Sequence, residues 1–304
     1  MNEKRVIALG FFDGVHSGHR VLMARARQAA RELGCRAAVL TFDNHPDELV
    51  FGTPTPLINT LEDRRWLLME RNHMDEVISI PFDRALMQMP WEEFVDELLV
   101  KKYHAVHVVC GHDFSFGYRG AGKPDKLRKK CAALGIGCDI IEPVLLHDFT
   151  VSSTEIRTLL RDGNVEEANY LLSHRHFITG TVVQGKQLGR QLGIPTANLR
   201  LPKGILAPAF GVYATQVVLE DGRRYMAVTN VGTCPTVEID TGVTVEPWLL
   251  DFDENLYGKT IRVEFCRFLR HERKFASLAA LQKEIFRNAQ ETRNYFAENK
   301  SQLL

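Results

Sequence analysis

Apolar positions follow two alternating rhythms through the first half of the chain. Short apolar runs at residues 6–10, 37–42, 77–80, 106–111 and 138–144 read as strands. Between them lie stretches with a helical period. From Arg20 onward, Leu22, Ala26, Ala29 and Leu33 share one face, as do Phe94, Val95, Leu98 and Leu99. Residues 61–71 and 126–134 behave the same way. Strands recurring between helices predict an α/β Rossmann-like domain with a doubly wound, mostly parallel sheet. Ligands of such sheets bind beyond the carboxyl ends of the strands.

After Leu172 the rhythm changes. Residues 177–183, 211–220, 225–231, 243–252 and 260–265 read as strands with no helix between them, and Asp221-Gly222 supplies a hairpin turn. This predicts a small antiparallel β-barrel. Ser277 fits the N-cap of a C-terminal helix that carries Leu278, Leu281, Ile285 and Tyr295 on one side. Two domains are expected, residues 1–173 and 177–304.

Composition changes this picture little. Hydrophobic residues make up 45% and charged residues 25% of the 304 positions, enough for two ordinary cores. The formal net charge is zero, so no overall field draws the chain to nucleic acid or to an anionic membrane, and neither is expected as a partner. The six cysteines show no C-x-x-C spacing, which argues against a zinc site and a disulfide framework. With no signal-like or membrane-spanning apolar run, the expected location is the cytoplasm.

Candidate chemistry concentrates in a few turns. The first strand ends in Gly10-Phe11-Phe12-Asp13-Gly14-Val15-His16-Ser17-Gly18-His19, an H-x-G-H sequence at a strand-to-helix junction. A helix N-terminus presents unpaired N–H groups and a positive dipole end, so phosphates settle there. His16 and His19 bracket one glycine and can both donate to phosphate oxygens as charge builds. Gly111-His112-Asp113-Phe114-Ser115-Phe116-Gly117 sets a carboxylate beside aromatic rings. Ser152-Ser153-Thr154-Glu155-Ile156-Arg157 opens a helix with capping-box spacing, and its arginine can fork onto phosphate.

In the second half, Gly185, Gly189 and Arg190 belong to a glycine-rich loop that runs into Pro195-Thr196-Ala197-Asn198. Thr196 and Asn198 alternate on an extended segment and offer neutral hard oxygens to a Mg²⁺-nucleotide.

The G-x-F-D-G-V-H-x-G-H, G-x-D-F-x-F-G and S-S-T-x-I-R segments resemble the FMN adenylyltransferase module of the prokaryotic bifunctional riboflavin kinase/FAD synthetases. The P-T-A-N segment, residues 230–236 and residues 245–252 resemble that family's kinase module. The resemblance implies riboflavin, FMN and ATP as substrates, with Mg²⁺ as the metal. It implies that Gly10, Phe11, Asp13, Gly14, His16, His19, Ser153, Thr154 and Arg157 surround the first ATP, and that Asp113 and Phe114 help hold flavin or metal. It implies that Gly185, Gly189, Arg190, Thr196 and Asn198 bind the second nucleotide, with Thr196 and Asn198 on the metal. Glu246 is implied as the kinase base. That role has a chemical reason, because the riboflavin 5′-hydroxyl is neutral and must lose a proton. FMN phosphate is already ionised and needs no base, only positioning and charge neutralisation.

The chain departs from the family pattern at Cys234 and at Pro247-Trp248, where the family usually has arginine and a Thr-His or Val-His pair. Two other readings stay open at this level. One is a chain that retains a single activity, the adenylyltransferase. The other is a flavin-binding regulatory protein with residual catalysis.

Overall fold

The computed structural model describes residues 3–146, 149–185, 193–233 and 242–299. The chain divides into two compact units, Met1–Ser153 and Thr154–Leu304.

The first unit is built on five parallel strands: β1 (Arg5–Leu9), β2 (Arg36–Phe42), β3 (Glu76–Ile80), β4 (Ala105–Gly111) and β5 (Gly137–Ile141). Their order is β3-β2-β1-β4-β5. The order reverses between β1 and β4, which sets a crevice at the carboxyl ends of those two strands. Helix α1 (Ser17–Leu33) buries Leu22, Ala26 and Ala29 of the expected stripe, with Met23 beside them, whereas Leu33 in its last turn is exposed. It ends at Gly34 in the left-handed region (φ 61°). Four helical pieces follow: α2 (Pro46–Phe51), α3 (Leu61–Trp66), α4 (Arg84–Gln88) and α5 (Trp91–Glu93). α3 and α5 run on as π-helical turns over Leu67–Arg71 and Phe94–Lys102. Helix α6 (Pro124–Ala133) leads into β5, which stops at Ile141, short of the expected 144 and just before Glu142-Pro143. A small antiparallel pair, β6 (Leu145–Leu146) and β7 (Phe149–Thr150), completes the strands of this unit.

Helices α7 (Ser153–Arg161) and α8 (Val165–Leu172) precede the barrel. The boundary expected from sequence grouped both with the first domain, whereas α8 packs on a barrel strand of the second unit. The Asn169 side chain explains the attachment: its amide donates to Phe265 O at 2.9 Å and accepts from His176 N at 2.6 Å.

The six antiparallel strands are β8 (Phe177–Thr181), β9 (Leu199–Arg200), β10 (Gly211–Leu219), β11 (Arg224–Thr233), β12 (Val243–Leu249) and β13 (Thr260–His271), in the order β8-β13-β10-β11-β12-β9. The sheet nearly closes, because Val183 N donates to Asn198 O at 2.8 Å, bridging the segments beyond β8 and before β9. β13 is twice its expected length. Two register shifts against β10 break the alternation that would have shown this in sequence. Inside the barrel, Tyr213 meets Phe265 edge to face, and the Thr215 and Thr229 hydroxyls share a 2.6 Å hydrogen bond. Outside, α9 (Leu278–Glu298) starts from the expected Ser277 cap and packs on β10 and β11.

His176 is fully buried, lies stacked with Phe265 at 5.6 Å, and has no partner on either ring nitrogen. Burial, reinforced by His174, lowers its pKa to about 3. The unfolded chain, with an ordinary histidine, therefore takes up a proton that the folded chain refuses. The stability this imidazole permits is complete above about pH 6.5 and is lost progressively as pH falls toward 3. Between pH 8 and pH 5 the loss is about 2 kcal/mol. Urea unfolding of a His176→Phe variant should show a shallower pH dependence over that range. Equal slopes for the two proteins would refute this account.

Candidate active sites

The turn after β1 is the most constrained stretch of the first unit. Phe12 (φ 60°), Gly14 (φ 77°) and Val15 (φ 43°) all sit in the left-handed region. Glycine tolerates this; a buried phenylalanine and a β-branched valine do not, at a cost of about 1–3 kcal/mol each. Two buried charges hold the turn. The Asp13 carboxylate accepts from Ile58 N at 2.9 Å and from Asn59 N at 3.4 Å. Arg64, only 1% exposed, donates to Phe11 O at 2.9 Å and Phe42 O at 2.6 Å, with its guanidinium 4.2 Å from the Phe11 ring centre. Burial pulls the Arg64 pKa down to about 10 against the opposing pull of Asp13 and Asp43. Asp13, expected beside the nucleotide, thus turns inward and shapes the loop. Arg64 carried no signal in the sequence, since it reads as one of two arginines on a polar helix face.

His16 caps α1: its Nδ1 accepts from His19 N at 3.4 Å. In neutral His16 the proton must then sit on Nε2, which makes that atom a donor. The His16 and His19 rings stack with centroids 3.6 Å apart and planes within 18°. Burial pushes the His19 imidazole well below its ordinary pKa, and His16 and Arg64 push it further. Two stacked cations would repel, which together with burial disfavours the protonated form of His19. Phe11 meets the His45 ring edge-on at 4.6 Å, and Gly10 N donates to Leu40 O at 3.3 Å. Ser153 Oγ, at the end of the first unit, donates to Asp13 O at 2.9 Å.

Across the crevice, beyond β4, Asp113 is exposed and Phe114 stacks with Phe116 at 5.5 Å. Thr154 and Arg157 lie on α7 within the second unit; Thr154 is exposed and Arg157 is buried.

The second site lies on the outer face of β12. Val243, Val245 and Leu249 are buried, while Thr244, Glu246 and Trp248 alternate with them. Glu246 and Trp248 line a cavity of about 380 Å³, closed opposite by Phe275, Leu281 and Ile285. The Thr244 hydroxyl donates to Glu246 Oε1 at 3.0 Å, which fixes the carboxylate. Asn230, which opens the 230–236 segment, lines this cavity, and so does Asn288, an amide on α9 that sequence reasoning missed. The Arg270 guanidinium donates to Asn288 Oδ1 at 3.1 Å and pairs with Glu284 at 3.5 Å; burial lowers its pKa, with Glu284 opposing.

A second cavity of about 290 Å³ is lined by Val182, Pro195, Ala197 and residues 252–257. Thr196 lines both cavities. Asn198 turns its Nδ2 toward Thr196 O at 3.4 Å, leaving Oδ1 to point elsewhere. Gly185 permits this arrangement: a Cβ there would lie 2.6 Å from the Asn198 amide. Among the described residues no cluster of three or more His, Cys, Asp or Glu could hold a metal ion. A cation here would bind the neutral oxygens of Thr196 and Asn198 together with substrate phosphates, an arrangement Mg²⁺ accepts. Gly189, Arg190 and Cys234 lie outside the described residues.

Pro247 leaves the strand intact. Its carbonyl accepts from Ala197 N at 2.9 Å, so its backbone faces β9 and the segment before it. The missing N–H points to that two-residue edge strand, away from the longer β11 ladder.

Two unlike units, one a Rossmann-like sheet with a strained histidine turn and one a barrel with paired cavities, describe a two-module enzyme. The FAD synthetase family model matches residues 1–155 and the riboflavin kinase family model matches residues 172–296. The bifunctional riboflavin kinase/FMN adenylyltransferase of Listeria monocytogenes is 34% identical over 296 residues, covering 97% of this chain and 93% of its own. The Bacillus subtilis protein of the same description is 35% identical over 302 residues, with 97% and 93% covered. A solved Streptococcus pneumoniae chain described as a macrolide-efflux protein superposes with a TM-score of 0.85 at 30% identity, covering 97% of this chain and 95% of that one. The chain belongs to the bifunctional riboflavin kinase/FMN adenylyltransferase family. No described helix is long and apolar enough to cross a membrane.

Gly185→Ala should push Asn198 out of place and cut riboflavin phosphorylation about a hundredfold, the scale of a misplaced catalytic contact. FMN-to-FAD conversion by the same preparation should stay at the parent rate. Wild-type kinase activity in this variant would detach Asn198 from the site.

Proposed function

We propose that this chain phosphorylates riboflavin to FMN in residues 177–304 and adenylylates FMN to FAD in residues 1–173, with ATP as the donor in both steps. Family membership over nearly the whole length supports both activities. The observation that carries the kinase assignment is Thr196, which lines both the cavity of Glu246 and the neighbouring one. A phosphoryl group can pass there from a nucleotide in the smaller cavity to a flavin hydroxyl in the larger.

In that step Glu246 takes the proton of the riboflavin 5′-hydroxyl as its oxygen attacks the γ-phosphorus of ATP, the bond from that phosphorus to the bridging oxygen breaks and ADP leaves. Thr244 keeps the carboxylate aimed. Thr196 and Asn198 would hold Mg²⁺, which would neutralise charge on the transferring phosphates. Gly185, Gly189 and Arg190 wrap the nucleotide.

In the adenylyl transfer, FMN phosphate attacks the α-phosphorus of ATP and pyrophosphate leaves. His16 and His19 donate to the phosphate oxygens, and Gly10, Phe11 and Gly14 admit the triphosphate to the backbone of the turn. The resemblance of residues 152–157 supports Ser153, Thr154 and Arg157 as contacts of the same phosphates, and that of residues 111–117 supports Asp113 and Phe114 as residues that help hold flavin or metal. Asp13 serves by holding the turn. The balanced net charge and the free cysteines favour a cytoplasmic enzyme without nucleic-acid partners.

Each reaction should be lost without the other. Glu246→Gln should lower FMN formation about a hundredfold or more and leave FAD formation from supplied FMN near normal. His19→Ala should lower FAD formation by about a hundredfold and spare the kinase. Chromatography of the flavins reads both, and a folded single variant that loses both reactions would contradict the assignment.

A further inference from the structure

Strand register divides the cavity of Glu246 into a polar and an apolar half. Residues two apart on β12 share its outer face, which sets Glu246 and Trp248 about 7 Å apart along the strand. Asn230 of β11 lies directly opposite Glu246, and Val228 lies directly opposite Trp248. One row across the two strands is therefore polar, a carboxylate beside an amide, and the next row is apolar. Val228 belongs to a buried cluster with Val212, Leu250 and Ala289, and Trp248 packs against that cluster while staying half-buried itself. Phe286 braces the indole, with ring centres 5.7 Å apart and planes 85° apart. The braced ring still gives part of its surface to the cavity, where Phe275, Leu281 and Ile285 complete the apolar half.

We propose that Trp248 is a flavin-binding residue of the kinase module, which packs its indole against the isoalloxazine ring and so sets where the 5′-hydroxyl lands. The inference rests on the kinase reading above and adds to it the residue that positions the substrate. Riboflavin is divided as the cavity is, with a flat tricyclic ring at one end and a hydroxyl-bearing chain at the other. Five carbons separate the ring from the reacting oxygen, a reach comparable with the step from Trp248 to Glu246. With the ring on the indole, the chain runs over the polar row and its terminal hydroxyl meets the carboxylate that Thr244 holds. Turned end for end, the molecule would lay its hydroxyls on Val228 and Trp248, whose side chains offer them no acceptor. This is also a residue at which the chain departs from the usual family sequence, so the contact belongs to this chain.

An indole touching a flavin leaves an optical mark. The excited flavin takes an electron from the indole, and the electron returns without emission and with no net oxidation. A phenyl ring does not donate that electron. Full-length protein is titrated with riboflavin in the presence of ADP and Mg²⁺, and flavin emission is read for wild type, Trp248→Phe and Trp248→Leu. Trp66 and Trp91, both in the first unit, remain in every variant as a constant background. Wild type should quench bound riboflavin strongly. Trp248→Phe keeps an aromatic face, so it should bind within about threefold of the parent affinity and lose most of the quenching. Trp248→Leu should raise the KM for riboflavin about tenfold while kcat falls only a few-fold, a split that a misfolded module would not give. If wild type forms FMN but leaves bound riboflavin bright, the role of Trp248 is overturned and the kinase reading stands. The same holds if Trp248→Phe quenches as fully as the parent, or if Trp248→Leu keeps the parent KM. A wild-type protein that neither binds nor phosphorylates riboflavin would overturn both.

Discussion

A carboxylate and a guanidinium, both sealed from water, fix the backbone on which the adenylyltransferase site is built. Asp13 and Arg64 are each within a few per cent of full burial, and each spends its hydrogen bonds on backbone groups of the turn and its neighbours. Removing either would leave the backbone groups it satisfies without those hydrogen bonds in the interior, a loss of about 1–3 kcal/mol for each group stranded. The left-handed sequence at Phe12, Gly14 and Val15 persists because these anchors over-determine it. The histidine pair inherits its position from that turn. His16 stands at the start of α1 because the turn ends there, and His19 stacks on it because it lies one helical turn on.

The kinase site rests on a different constraint, the two-residue period of a strand. β12 turns Val243, Val245 and Pro247 to one side, which leaves Glu246 and Trp248 together on the other, under α9. A barrel this small fills its interior with side chains, so its chemistry has to occupy the outer face and its rim. Proline next to the proposed base is tolerated because its missing donor faces the short β9 edge. That geometry speaks for two active modules and against the loss of the kinase. The two sites also divide the chemistry sensibly. The proposed site whose nucleophile is a neutral hydroxyl contains a carboxylate held by Thr244, and the proposed site whose nucleophile is already ionised contains a stacked histidine pair instead.

Much of this was legible in the chain. Periodicity located the five parallel strands and the helices over Leu22, Phe94 and Leu127, because each faces a single core. The H-x-G-H turn and the P-T-A-N segment were readable because their residue types are unusual in combination. Three kinds of feature were hidden. The short helices α2 and α4 bury none of their residues, so no apolar stripe marks them. The second half of β13 was lost because its bulges scramble the alternation. Arg64 and Asn288 were invisible because a buried polar residue looks like a solvent-facing one until its partners are known. Asp13 shows the converse: its motif pointed to the nucleotide, while its carboxylate accepts from the Ile58 and Asn59 amides and holds the turn.

The central claim is that two independent sites act in sequence on one flavin, and mixing two inactive variants tests it most directly. Neither Glu246→Gln nor His19→Ala alone should convert riboflavin to FAD at an appreciable rate with ATP and Mg²⁺. Combined in one tube, the second should release FMN and the first should adenylylate it, so FAD should accumulate after a lag in which FMN appears. Absence of FAD from the mixture, with both variants folded and each retaining its own partial reaction, would contradict the account.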